Sequence, residues 1–568
     1  MTLTHSISST LPIQRHQNIA AGWENRGPLF FGLAAACYIG FCMVMLQRPL
    51  SWLLAVMPDD VFYYLQVARN LAQHGVSTFD GETLTNGYHP GWMLMMTVLA
   101  KFISGRLALL HACLCVSFVL HALASLGLVR VLRPFAGSFW AWIGGAFWLL
   151  NPLPLRVALQ GMEGTLYVLA IVVVMIVFQE HIAPHLQQSR CSVPTRALVL
   201  FGLSLSFAFW ARTEGILLAA LSLLYLAIAI ARGASSTRLR DIMRVALLTG
   251  GTFALGIAPW FVFSLLATGS IGQKSGAMKM LWAGSDYSAL APWERLLVLT
   301  EFLRAWWFSV APTVLFNMAY SIVALAAAIV LFLFITLGVR ALRDKEISDD
   351  VPATLWCRMA AWLLPMLLLS GSVYGLLFAD HRAWYWGQPG LIFFVLFYGG
   401  AALCLRHAQW AHSPGGQSPG ARSATGVGVL VYALLLCFLF SRDVPAVYRL
   451  QPGAYESVRW LERRVPPSAR IGVFNAGVPA YFSNLKIINL DGLMNNTVAD
   501  RWRAHHFGDY LHEARIDYIA DLEISLDRAR RFSAAPLPLR KIDHHAPSRR
   551  TLWSVQTDAR TAQTSRKN

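Results

Sequence analysis

The stretch Asp59–Trp92, DDVFYYLQVARNLAQHGVSTFDGETLTNGYHPGW, decides how the chain is read. It follows the first long apolar run and opens with two adjacent carboxylates. Charge beside hydrocarbon is costly, so an ionisable pair there marks a candidate functional site. Pro58, Asp59 and Asp60 also fit a plain helix start, where carboxylates answer the unpaired N–H groups of the first turn. That role leaves the rest of the segment unexplained: Tyr63, Tyr64, Arg69, an Asn86-Gly87 turn, Tyr88 and His89. The pattern predicts an amphipathic helix over Asp60–His74 closed by Gly75, and a second, apolar one over Tyr88–Ser104 carrying Trp92. Both are expected to lie along a membrane surface rather than cross it.

Working outward, the 568 residues are 56% hydrophobic and 14% charged, with mean hydropathy +0.49. Soluble domains carry about 25% charged residues, so this is an integral membrane protein. The net charge of +17 would suggest nucleic acid in a soluble protein. Here it belongs to short loops kept in the cytoplasm, and no basic module with base-stacking aromatics is present. No CxxC or Cys/His spacing suggests zinc, and no cysteine follows Cys437, so the C-terminal part folds without disulfides.

Apolar runs predict eleven spans, at about 29–46, 107–131, 137–151, 164–181, 197–211, 215–231, 246–265, 317–340, 358–378, 389–406 and 425–441. Residues 1–28 are polar, with Arg15 and Arg26, and the run after them reads as a signal anchor with its N-terminus inside. Every connection then placed inside carries basic residues: Arg130 and Arg133; Arg190 and Arg196; Arg232, Arg238, Arg240 and Arg244; Arg340, Arg343, Lys345 and Arg358; Arg406 and Arg422. An odd number of spans places the C-terminal segment outside. The expected organisation is a cytoplasmic segment over 1–28, a transmembrane catalytic domain over 29–441, an extracytoplasmic α/β domain over 442–557 and a disordered tail over 558–568. RIGVFNAG, KIINLDG, DYIAD and TLWSVQTD read as strands of that domain, and Asp500–Ala514 as a helix.

The outer loops hold the remaining candidates. Glu163 sits in GMEG just before an apolar helix, Arg212 and Glu214 in the tight turn ARTEG, and Lys274 and Lys279 on a Gly-rich stretch able to hold a phosphate. Arg382 lies among aromatics in DHRAWYWGQP, which suits a phosphate at the membrane surface. Each also has a bland reading as a helix-start carboxylate, a local ion pair, a solvated loop or an interface anchor.

The Asp59-Asp60 pair between interfacial helices, followed by VARNLA and TNGYHPGW, resembles the GT-C superfamily of membrane glycosyltransferases that use polyprenyl-phosphate sugars. The layout looks most like bacterial arabinofuranosyltransferases, aminoarabinose transferases and protein mannosyltransferases. GMEG around Glu163 matches the acidic residue such enzymes carry in the second outer loop. No MIR-like region and no WWDYG is present, which argues against the protein-mannosyltransferase and oligosaccharyltransferase subfamilies. The resemblance implies inverting transfer of a sugar from a polyprenyl phosphate to an acceptor hydroxyl of an envelope glycan, lipid or protein, at the outer face of a bacterial-type inner membrane. It assigns the base to Asp59, with Asp60 orienting it or holding the sugar, and Glu163 orienting the acceptor or a metal. Lys274 and Arg382 become phosphate ligands, with Arg212 third; Tyr63, Arg69, Asn86, Tyr88, His89 and Glu214 join the substrate site. Asp60 and Glu163 are the expected ligands of a divalent cation, Mg or Mn, should one be used. Two other classes stay open: a polyprenyl-lipid or glycan transporter or flippase, which calls for paired charges at mid-membrane and internal repeats, and a scaffold whose outer domain binds a partner.

Overall fold

The computed structural model describes residues 26–186, 193–232, 238–288, 351–373, 383–412 and 448–556. Six helices among them are long and apolar enough to cross a membrane: Gly27–Leu46, Arg106–Leu150, Gly164–Leu186, Gly215–Arg232, Arg238–Thr268 and Val351–Ser370. Two shorter apolar helices, Thr195–Ala211 and Gly387–Leu403, accompany them. The expected spans at 317–340 and 425–441 lie outside the described residues. One expectation changes. The runs at 107–131 and 137–151 are not separated by a loop but follow one another through a bend in a single helical stretch. Gly137 makes the bend at φ 77°, a conformation that only glycine adopts without a steric penalty.

The first outer segment forms the two predicted helices. Asp59–His74 ends at Gly75 with φ 70°, the left-handed stop that the glycine foretold. Pro90–Phe102 is the second and packs on the first.

The C-terminal part is an α/β unit with a five-stranded sheet. Its strands are β1 (Arg470–Val473), β2 (Lys486–Asn489), β3 (Tyr518–Asp521), β4 (Leu539–His545) and β5 (Arg550–Val555), in the order β2-β1-β3-β5-β4. β1 is parallel to β2 and β3, while β5 runs antiparallel to β3 and β4. The edge strand β4 was not foreseen: LRKIDHH is charged and mostly exposed, as befits an edge that must not pair further. The helix expected over Asp500–Ala514 is two, Asn496–Arg503 and Phe507–Glu513, broken where His505 takes φ 59°. An amphipathic helix, Leu450–Arg464, precedes the sheet.

This unit docks on the first outer segment. Phe62 packs against Tyr481 and Phe482 at 5.7 and 5.6 Å. Glu82 pairs with Arg470 at 2.8 Å and with Lys486. Asn496 donates to Asn86 Oδ1 at 3.1 Å. The two parts share one hydrophobic core.

Candidate active site

Asp59 and Asp60 open the same helix and face different surroundings. Asp59 is 7% exposed. Its Oδ2 accepts the Gly477 N–H at 2.8 Å and its Oδ1 the Val478 N–H at 2.9 Å, both from the C-terminal unit. Gly477 permits this approach, because a Cβ there would stand 2.3 Å from the Asp59 carbonyl oxygen. Burial pushes the Asp59 carboxyl up to about 6, against the pull of the two backbone donors and of Arg550.

Asp60 turns toward the spans. Lys279 Nζ donates to its Oδ2 at 3.0 Å and to the Tyr385 hydroxyl at 3.0 Å. The ammonium lies 5.5 and 5.8 Å from the ring centres of Tyr385 and Trp384, a position favoured by the negative faces of both rings.

Across from them, Glu163 is buried at 1% exposure. Its Oε1 accepts from Arg212 Nη1 at 2.5 Å, and its Oε2 has no hydrogen-bond partner among the described residues. Arg212 also grips Glu214 through Nε at 3.0 Å and Nη2 at 2.8 Å, so the guanidinium ties the two carboxylates together. Arg212 in turn holds the Glu214 carboxyl well below the usual range, overcoming its burial. His89 Nδ1 accepts the Thr213 N–H at 3.2 Å, and its Nε2 lies 3.6 Å from Glu163 Oε1. Burial lowers the His89 pKa. The neutral ring, accepting at Nδ1, therefore carries its hydrogen on Nε2, toward Glu163. A cavity of about 30 Å³ is lined by Asp60, Tyr64, His89, Glu163, Lys279 and Tyr385. A larger one, of about 110 Å³, lies on the other side of Asp60, against the C-terminal unit. Asp60 and Tyr63 line both. Tyr63 spans them, donating to Asp491 Oδ2 at 2.6 Å.

The structure thus brings Asp60, Tyr63, His89, Glu163, Arg212 and Glu214 together. Other expected residues are used elsewhere. Lys274 pairs with Asp500 at 2.5 Å. Asn86 joins Ser264 at 2.5 Å and Gly272 at 3.0 Å to the C-terminal unit. Tyr88 hydrogen-bonds Ser77 Oγ at 2.6 Å, and Arg69 lies over the Tyr481 ring at 5.8 Å. Arg382 is outside the described residues. Lys279, rather than Lys274, reaches the cavity. The two are five residues apart on the helix Lys274–Ser288, about 140° round its axis, and nothing in the sequence says which face turns inward. Asp491 and Gly477 carried no signal of their own.

The expected metal ligands do not fit a divalent ion. Asp60 and Glu163 each face a cationic side chain, and no group of three or more His, Cys, Asp or Glu is placed to hold a metal ion among the described residues. Hard cations take six or more oxygens and tolerate no ammonium in their place.

Residues 446–564 match a family described as "Domain of unknown function (DUF8728)". No curated protein matches the sequence. Among solved structures, ArnT from Cupriavidus metallidurans bound to undecaprenyl phosphate is similar with a TM-score of 0.52 and 13% identity, covering 93% of this chain and 98% of its own. The archaeal oligosaccharyltransferase AglB from Archaeoglobus fulgidus, in complex with an inhibitory peptide and a dolichol-phosphate, is similar with a TM-score of 0.50 and 12% identity, covering 89% of this chain and 72% of its own. At such identity the likeness establishes the fold. The protein shares the fold of these two structures, with many apolar helices and a small C-terminal sheet unit, which is the fold that the resemblance in its first outer segment implied.

Proposed function

We propose that the protein is an inverting glycosyltransferase that moves a sugar from a polyprenyl phosphate to an acceptor hydroxyl at the outer face of the inner membrane. The observation that carries this is the position of Asp60. Its carboxylate stands in the wall between two cavities, with the Lys279 ammonium at 3.0 Å. Support for the donor class comes from the two similar structures, one bound to undecaprenyl phosphate and the other to dolichol-phosphate. The outward orientation rests on the basic residues of the inside connections.

In this mechanism Asp60 is the base and Asp59 positions it. Both Asp59 oxygens already accept backbone hydrogen bonds, which leaves them poorly suited to take a proton from a substrate. The acceptor hydroxyl gives its proton to Asp60 as its oxygen attacks the anomeric carbon. The bond from that carbon to the phosphate oxygen breaks on the opposite side, and the electron pair leaves with the polyprenyl phosphate. Lys279 answers the charge on the departing phosphate, and Tyr385 steadies the lysine. Glu163, which lines the smaller cavity and is held in place by Arg212, accepts from a hydroxyl of the transferred sugar. No step calls on a metal.

Asp60→Asn tests the reading, with purified full-length protein, a polyprenyl-phosphate sugar and membrane acceptors. Turnover is expected to fall about 10²–10⁴-fold, the usual contribution of a general base, while the melting temperature holds. Near-normal transfer by the folded variant refutes the role of Asp60. Movement of lipid-linked sugar across the bilayer with no transfer by the wild type supports a flippase instead.

A further inference from the structure

The larger cavity lies where the first outer segment meets the C-terminal unit, and its wall has a definite chemistry. Asp59, Asp60 and Asp491 contribute carboxylates, Asn475 and Ser525 an amide and a hydroxyl, and Arg528 a guanidinium. Trp282 and Trp502 meet there edge to face, with ring centres 6.2 Å apart. Trp502 is fixed from behind, its Nε1 donating to the Leu490 carbonyl at 2.9 Å. Trp282 Nε1 has no hydrogen-bond partner among the described residues, and its ring is covered on one side by Arg528 at 5.4 Å.

We propose that this cavity is the acceptor subsite and takes a sugar residue that bears no negative charge, its hydroxyls toward Asp491, Asn475 and Ser525 and its ring against Trp282. Size, charge and surface all favour that occupant. A water needs about 10–15 Å³ of such space, so about 110 Å³ has room for a sugar ring rather than a lone solvent molecule. The carboxylates of Asp59 and Asp60 disfavour an anionic group, and with Asn475 and Ser525 they line the cavity with oxygen atoms suited to hydroxyl donors. The aromatic wall of Trp282 and Trp502 suits the C–H face of a pyranose, which is apolar on one side and hydroxylated at its rim. Burial also pushes the Asp491 carboxyl up to about 7, against the pull of Tyr63 and of the Leu493 N–H, which lessens the negative charge that it brings to the cavity. Asp60 lines this cavity as well as the smaller one, which places the bound hydroxyl beside the proposed base. The term acceptor rests on the transferase reading, whereas the binding does not.

Saturation-transfer NMR on the full-length protein in lipid nanodiscs separates the two. Methyl glucoside is the probe and glucuronate its anionic counterpart, with no donor lipid present. Methyl glucoside is expected to show saturable transfer and glucuronate none. Trp282→Ala is expected to weaken methyl glucoside binding about tenfold, the loss of one stacking contact. Ser525→Phe fills the cavity from its rim and should abolish the signal, which provides a second variant should Trp282→Ala fail to fold. Equal signals from both sugars, or an unchanged signal in either folded variant, overturn the subsite. If methyl glucoside binds as expected but no donor is ever turned over, the transferase reading falls and the sugar site stands. If donor is turned over without this binding, the sugar site falls and the transferase reading stands.

Discussion

At the scale of single residues, the neighbours Asp59 and Asp60 divide two tasks that either could have held. Asp59 is committed to two backbone donors 418 and 419 residues away in sequence. Asp59→Ala leaves both N–H groups buried without an acceptor, at a cost of about 1–3 kcal/mol each. Hydrogen exchange at Gly477 and Val478 should speed up and the melting temperature should fall; unchanged protection there would remove its docking role. Lys279 makes the opposite kind of prediction. Its hydrogen bonds to Asp60 and Tyr385 both lie at the cavity, so Lys279→Met should leave folding intact. It should lower kcat about 10²–10³-fold if it stabilises the departing phosphate. A rise in KM alone, with kcat kept, would instead mark it as a ground-state binding group.

At the scale of elements, close approach of backbone decides how the outer parts fit together. At Gly87 a Cβ would stand 1.8 Å from the Leu493 carbonyl oxygen, which is rigid backbone rather than a movable side-chain tip. Gly87→Ala is therefore expected to lift the C-terminal unit off the first outer segment, at about 1–3 kcal/mol for the forced repacking. Limited proteolysis near Leu493 should accelerate, and transfer should fall without any change to Asp60 itself. Retained protease resistance would show that the joint tolerates the shift. The helices of this segment were legible in the sequence because their signals are local: apolar period, Asp start and Gly75 stop. The edge strand β4 was not, since LRKIDHH has no alternation to separate it from a loop. The break at His505 was equally hidden, because a left-handed histidine leaves no compositional mark.

Across the whole molecule, the joint between membrane part and C-terminal unit carries opposed titrations. Burial raises Asp59 from 3.8 to about 6 and Asp491 from 3.8 to about 7. The native protein thus favours their protonated forms. Their contribution to stability is complete below 3.8 and is lost as pH rises through about 6 and 7. Glu82 does the reverse: Arg470 and Lys486 hold it down at about 2 from 4.5, so its contribution is present above 4.5 and lost as pH falls toward 2. Melting temperature should accordingly decline from about pH 4 to about pH 8, and Asp491→Asn, which cannot ionise, should flatten that decline. A wild-type profile that rises steadily over this range would contradict the burial of both carboxyls.

The sequence by itself determined that the chain is a membrane protein, where most of its apolar helices run, and that an Asp pair opens a helix just outside the first of them. Length of apolar run, helical period and glycine stops are properties of contiguous residues, so they can be read without knowing what the chain folds against. Only the tertiary structure decided that Asp60 lies at both cavities while Asp59 is held by Gly477 and Val478, that Lys279 rather than Lys274 accompanies Asp60, and that Asp491 and Gly477 belong beside the first outer segment. Those facts depend on which faces of distant elements are pressed together, and residues about 400 positions apart leave no trace of that contact in one another's neighbours.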